Sequence, residues 1–283
     1  MNTKNRSLIE IHIAVFLFGL SGLFGKLIEL PSIIIVLGRV LFSSLFLLLI
    51  LTYLKQDIKL KERKHYFYLT AMGLILAIHW SSFFKSIQVS TVAIGLLTFS
   101  SFPVFVTFLE PYLLKEKTKF SDIIIVGITF LGVLLVIPKF KLENNLTQGA
   151  LWGILSGFTY AILAILNRKY VREYSSLVIA FYEQLIATIA LIPFLFLYKP
   201  EVHSKEILLL ALLGVVFTGV SHSFFINGLK RVKAQTASII SCLEPVYGII
   251  FATFLLREIP TLREMLGGII ILSTVFYSTI KSK

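Results

Sequence analysis

Apolar stretches about as long as a bilayer is thick recur along this chain and leave little between them. They fall at 8–27, 32–54, 66–87, 90–113, 120–138, 149–167, 175–198, 206–227, 234–256 and 262–280. An α-helix rises about 1.5 Å per residue, so about 20 apolar residues cross a hydrocarbon core roughly 30 Å thick. Each stretch therefore reads as a spanning helix, and the fold class as an all-α integral membrane protein with ten transmembrane helices. The polar connections, the longest at 55–65 and 139–148, leave no room for a soluble catalytic or regulatory domain. Hydrophobic residues make up 57% of the 283, above the roughly 45–50% of soluble domains, and the mean hydropathy is +0.88.

The first stretch follows Lys4 and Arg6 as a signal peptide would, but no small-residue cleavage site follows it, and it has a counterpart later in the chain. It is read as a helix of the mature protein. The single Cys242 excludes an intramolecular disulfide framework and is read as packing. A net charge of +12 suggests nucleic acid until the charges are placed. Counting alternate connections puts 18 Lys and Arg on one side, with Lys55, Lys59, Lys61, Arg63 and Lys64 the densest group, and 8 on the other. Cytoplasmic loops collect Lys and Arg. Both termini are thus expected in the cytoplasm, and the basicity is a topology signal with no nucleic-acid partner.

The chain is also written twice. Moved back 142 positions, SIISCLEPVYGIIFATFLLRE at 238–258 falls over LLTFSSFPVFVTFLEPYLLKE at 96–116. Pro103 then lies under Pro245, Leu113 and Leu114 under Leu255 and Leu256, and Glu116 under Glu258. The same offset places Phe18 and Gly19 over Tyr160 and Ala161, and Lys26 over Arg168. Residues 1–142 form one five-helix unit and 143–283 the other. An odd number of helices per unit means that the second enters the membrane from the opposite face, as in inverted-repeat carriers. Equivalent loops should then reverse their charge bias. They do: Gln88, Val89 and Thr91 stand where the copy has Lys230, Arg231 and Lys233.

Two five-helix halves, each closing on a Pro-centred helix and a Leu-Leu-basic-Glu corner (LLKE at 113–116, LLRE at 255–258), resemble the EamA branch of the drug/metabolite transporter superfamily. The segment HWSSFFKSIQVSTVAIGLLTFSSFPVF at 79–105 also resembles that branch. The resemblance covers about the whole chain. It implies an inner-membrane carrier, usually an exporter of amino acids, related metabolites or drugs, working by alternating access around a central cavity. Glu110-Pro111 meets Ala252-Thr253 in the second half, and Glu244 falls over Phe102, so the midplane carboxylate belongs to one half only.

Within the spans, ionisable residues mark function by default, because burying charge in hydrocarbon is costly. Glu244 lies about 16 Å into the ninth stretch at about 1.5 Å per residue, near the midplane. Beside it, Pro245 should free a carbonyl near Ser241. Arg39, about 10 Å deep in the second stretch by the same rise, is the expected internal cation; the resemblance gives it a cavity-lining or structural role, and its planar fork suits a substrate carboxylate. Glu183 lies near Arg39's position in the repeat, and a direct pair requires both side chains to reach the midplane. His79 and Trp80 align with Ser221 and His222; a His can relay a proton and a Trp can cover a cation, although a lone helical His is also satisfied by a carbonyl or hydroxyl. Tyr160, Tyr182 and Asn227 are candidates for orienting hydrogen bonds. Glu110 is read as a surface partner of Lys115. Small residues at Gly19, Ser21, Gly22, Gly25, Gly153 and Gly157 read as close packing or as a moving seam.

The chain shows no Walker loop, His-Glu-x-x-His pair, metal-ligand cluster or nucleophile elbow. The expectation is a secondary carrier with no cofactor and no enzyme activity, taking a small-molecule substrate, with protons as a candidate coupling ion, in monomer or homodimer form. Two other classes stay open: a lipid flippase or membrane-embedded lipid-handling enzyme, and an assembly scaffold.

Overall fold

The computed structural model describes residues 3–114, 120–136 and 143–281, and every regular element among them is helical. In order they are α1 (Thr3–Ser21), α2 (Phe24–Leu27), α3 (Ser32–Tyr53), α4 (Arg63–Val89), α5 (Val92–Phe99), α6 (Phe102–Leu114), α7 (Phe120–Val136) and α8 (Asn145–Tyr170). Then come α9 (Ser176–Leu191), α10 (Pro193–Tyr198), α11 (Ser204–Gly214), a π-helical turn (Val215–Val220), α12 (Ser221–Leu229), α13 (Ala234–Ser241), α14 (Glu244–Leu255) and α15 (Leu262–Lys281). Lys115, Glu116, Lys117, Lys119, Lys139 and Lys141, read above for topology and corner geometry, lie outside the described residues, as do positions 1–2 and 282–283.

Among the described residues, seven helical segments are long and apolar enough to cross a bilayer: Asn5–Leu27, Ser32–Tyr53, Arg63–Val89, Val92–Leu113, Asn145–Tyr170, Ser176–Tyr198 and Ser204–Leu229. Their boundaries follow local chemistry. Thr91, Asn144 and Ser175 each accept a backbone N–H in the first turn of α5, α8 and α9, satisfying donors that a helix start leaves open. Lys55, Lys199 and Arg257 take positive φ (50°, 42° and 56°) just after α3, α10 and α14, the left-handed stop that ends many helices.

The ninth stretch is not one helix kinked at its proline. It is two helices, α13 and α14, separated at Cys242-Leu243, and Pro245 sits in the first turn of the second. Proline is favoured there because its missing N–H would be unpaired in any case. The fourth stretch breaks in the same way at Ser100-Ser101, and α6 begins Phe102-Pro103. The breaks lie 142 positions apart, as do the starts of α5 and α13 and of α6 and α14.

Polarity is arranged inside out relative to a protein in water. Phe67, Leu49, Phe196, Leu208 and Phe254 stand 70–79% exposed, while Arg39, Glu183, Gln184, His79 and His222 are buried. A hydrocarbon surround accounts for both facts, since lipid accepts apolar side chains and offers polar ones nothing. The interior lies where α3 and α4 of the first half meet α8 and α9 of the second, with α1 against α12 and α14. Helices α7 and α15 pack on each other to one side around Val133, Val136 and Ile271.

Candidate functional site

A small cavity opens between the helices at mid-span. It is lined by Phe18 and Ser21 of α1, Arg39 of α3, His79, Trp80 and Phe83 of α4, Phe99 of α5, Tyr160 of α8, His222 of α12 and Glu244 of α14. Its free volume for a water-sized sphere, about 20 Å³, is on the order of one water. Phe18 and Tyr160 are 142 positions apart, and so are Trp80 and His222, and both pairs line this cavity.

Arg39 is 1% exposed. Its Nε donates to Thr218 Oγ1 at 2.9 Å, and its guanidinium carbon sits 4.0 Å from the Trp80 ring centroid and 5.2 Å from that of Phe84. A guanidinium on an aromatic face keeps part of the attraction that water would have supplied. Its Nη1 has no hydrogen-bond partner among the described residues. Thr218 lies in the π-helical turn and donates to the Leu213 carbonyl five residues back (2.7 Å). The extra residue of such a turn is a feature that recurs at functional sites.

Glu244 is the first residue of α14 and 4% exposed. The helix N-terminus supplies a favourable field for a carboxylate, and Arg39 lines the same cavity. No ion pair within 4 Å joins Arg39 to Glu244 or to Glu183 among the described residues. The partner of Glu183 is instead His222, whose Nε2 lies 2.7 Å from Glu183 Oε2, with the two side chains 1% and 0% exposed. Glu183 Oε1 and His222 Nδ1 make no further hydrogen bond among the described residues. His79 Nδ1 lies 3.0 Å from the Ser156 carbonyl and 2.9 Å from the Ser156 hydroxyl. The His79 ring stacks on Tyr160 at 4.8 Å.

Six of the residues singled out from sequence therefore share one cavity, and Glu183 adjoins it through His222. Two do not. Tyr182 donates its hydroxyl to the Ile58 carbonyl at 3.0 Å near the basic loop, and Asn227 donates to Glu10 Oε2 at 2.7 Å in a separate cleft. Helical spacing fixes depth but leaves open the direction in which a residue faces. Glu110 is not a surface residue: it is 4% exposed and pairs with Arg168, because the end of α8 packs along α6 and covers it. Thr218 and Ser156 escaped the sequence reading, since neither a π turn nor a His-binding carbonyl has a residue signature.

Glycine lets the helices carrying the site meet. A Cβ on Gly19 would lie 2.8 Å from the Glu244 carbonyl and 2.9 Å from Tyr247 Cβ, and one on Gly248 would lie 2.9 Å from the Gly19 carbonyl. Thus α1 and α14 touch backbone to backbone next to Glu244.

The two ends of the molecule are tied differently. At one, Lys26 Nζ donates to the Ser90 carbonyl (2.7 Å) and lies 3.8 Å from Glu258, whose other oxygen accepts from Val92 N (2.9 Å). At the end bearing the basic loops, Arg168 pairs with Glu110, and the Tyr174 hydroxyl joins His65 Nδ1 (2.6 Å) and Lys61 N (3.0 Å). Among the described residues no three His, Cys, Asp or Glu cluster as metal ligands.

Membrane-spanning helices around a buried, charged, aromatic-walled cavity define a polytopic membrane protein with an interior polar site. The EamA-like transporter family matches the chain twice, over residues 6–137 and 147–280, and the chain belongs to that family of membrane transporters. It is 26% identical over 274 residues to a protein named as uncharacterized transporter YxxF of Bacillus subtilis (strain 168), covering 95% of this chain and 88% of that one. It is 24% identical over 249 residues to an S-adenosylmethionine uptake transporter of Rickettsia conorii, covering 88% of this chain and 83% of that one. A solved crystal structure shares the fold at a TM-score of 0.76 and 13% identity, over 99% of both chains.

Proposed function

We propose that this chain is a secondary carrier that moves a small metabolite bearing an amino-acid head group, by alternating access through the Arg39–Glu244 cavity. The observation that carries the reading is the cavity itself. A buried guanidinium with a free N–H and a buried carboxylate at a helix start face one aromatic-walled space. A cargo carboxylate suits Arg39, and a cargo ammonium suits Glu244 and the ring faces. The Rickettsia relative named for S-adenosylmethionine uptake is consistent with a cargo of this chemistry.

The proposed architecture is ten spans in two inverted five-helix halves, 1–142 and 143–283, with both termini in the cytoplasm and the protein in the inner membrane. The double family match and the helix breaks 142 positions apart support it. Lys26 and Arg168, equivalent in the repeat, each tie an end shut by bonding to a glutamate of the other half. Both ties are made while the cavity has room for only about one water, as expected of an occluded carrier. Export is the proposed direction, with protons as the proposed coupling ion.

The test is counterflow of labelled amino acids and S-adenosylmethionine in liposomes preloaded with unlabelled compound. Saturable counterflow is expected. A reaction product from lipid without counterflow would favour the lipid-handling alternative, and accumulation only from the opposite face would reverse the direction.

A further inference from the structure

Apart from the central cavity, the end bearing the basic loops holds a second polar cleft with a free volume of about 330 Å³. The cleft is bounded by the start of α9, where Ser176 and Leu177 line it, by Ser223 and Asn227 of α12 with Lys230 just after it, and by Arg6 and Glu10 of α1. Three features favour an anion. The first N–H groups of a helix have no acceptor within it, and its N-terminal dipole adds positive potential. In α9 the Ser175 hydroxyl takes the Val178 N–H (3.3 Å), and Ser176 and Leu177, the first two residues of the helix, line the cleft. Ser223 is 5% exposed, and its hydroxyl has no hydrogen-bond partner among the described residues. The acidic group here is already engaged: Glu10 accepts from Arg6 Nε (3.2 Å) and Asn227 Nδ2 (2.7 Å). Lys230 is exposed at the rim.

We infer that this cleft is a binding site for a carboxylate or phosphate group, held by the start of α9, the Ser223 hydroxyl and Lys230. Ser223 directly follows His222, which lines the central cavity, so both sites draw on α12. The source is the anionic end of a soluble metabolite or the headgroup of an anionic lipid. The inference rests on the transport reading only for the first of these sources.

The test reads the cleft without flux, so its failure and the failure of the transport reading are distinguishable. In a Cys242→Ala background, Ser176→Cys is labelled in nanodiscs of neutral lipid with an anionic and a cationic methanethiosulfonate, and Lys205→Cys on an exposed helix start serves as the reference. Relative to that reference, the anionic reagent should be favoured several-fold, and Lys230→Gln should reduce the preference. Inorganic phosphate or glutamate at millimolar concentration should slow labelling, and Ser223→Ala should weaken that protection. Protection only in nanodiscs containing anionic lipid keeps the site and assigns it to a headgroup. Equal normalised rates with no protection by any of these anions would overturn the inference.

Discussion

Arg168 and Glu110 form a buried ion pair that ties the end of α8 to α6, and Lys26, 142 positions before Arg168, meets Glu258 3.8 Å away at the opposite end of the molecule. Each basic residue thus reaches from its own half to a glutamate of the other. The first pair is the more enclosed, with side chains 8% and 5% exposed against 26% for both partners of the second.

Breaking one tie should open one end. In a Cys242→Ala background, Ser21→Cys places a thiol on the cavity wall. Glu110→Gln should speed its labelling by an impermeant reagent from the basic-loop side, and Glu258→Gln from the other side. Removing one partner of a buried pair costs on the order of 3–5 kcal/mol, so Arg168→Ala should unfold earlier in denaturant than the paired change Arg168→Gln/Glu110→Gln. Labelling that rises equally from both sides in each variant would refute the gate assignment.

The close approach of α1 and α14 makes a second prediction. Gly19→Ala would set its new methyl against the Glu244 carbonyl and Tyr247, and overpacking of this kind costs about 1–3 kcal/mol. Gly127, with nothing within 4 Å of a Cβ on α7, is the control. There alanine should be neutral or stabilising by about 0.5–1 kcal/mol, from helix propensity alone. Unfolding midpoints of the two variants in detergent decide the matter.

Thr218 should act through Arg39. Thr218→Val removes the hydroxyl that accepts from Arg39 Nε, and a hydrogen bond to a charged group is worth about 1.5–3 kcal/mol. Thr218→Ser should restore most of the stability. Equal loss in both variants would point to packing of the π turn.

Glu183 and His222 should behave as a unit. Because they share one buried 2.7 Å contact, a double-mutant cycle of Glu183→Gln and His222→Gln should show a coupling on the order of 1–3 kcal/mol. Additive effects would mean that the contact contributes nothing beyond its separate members.

Much of the site was legible because the physics of a membrane interior makes its few ionisable residues conspicuous. Glu244, Arg39 and His222 stand out in apolar runs, and the 142-residue offset already set Trp80 opposite His222. Rotation and helix breaks were not legible. Asn227 and Tyr182 lie at plausible depths but face the cleft and the basic loop, because one residue of helix turns a side chain by about 100°. Pro245 reads as freeing a carbonyl near Ser241, whereas two non-helical residues before Glu244 place it in the first turn of a new helix, which changes how the carboxylate is held. Glu110 was placed by its distance from a helix end, a measure blind to the α8 segment that covers it.

The central claim is that Arg39 and Glu244 hold the cargo. Its most direct test is counterflow in liposomes with Glu244→Gln and Arg39→Lys, both shown to be folded by unfolding midpoint. Lysine keeps the charge of Arg39 but loses the fork and the ring stacking, and glutamine keeps the shape of Glu244 without its charge. The account predicts saturable counterflow in the unaltered protein and a loss of at least about tenfold in each variant, equivalent to about 1.4 kcal/mol of lost interaction. Counterflow in both variants with unchanged rate and affinity would contradict it.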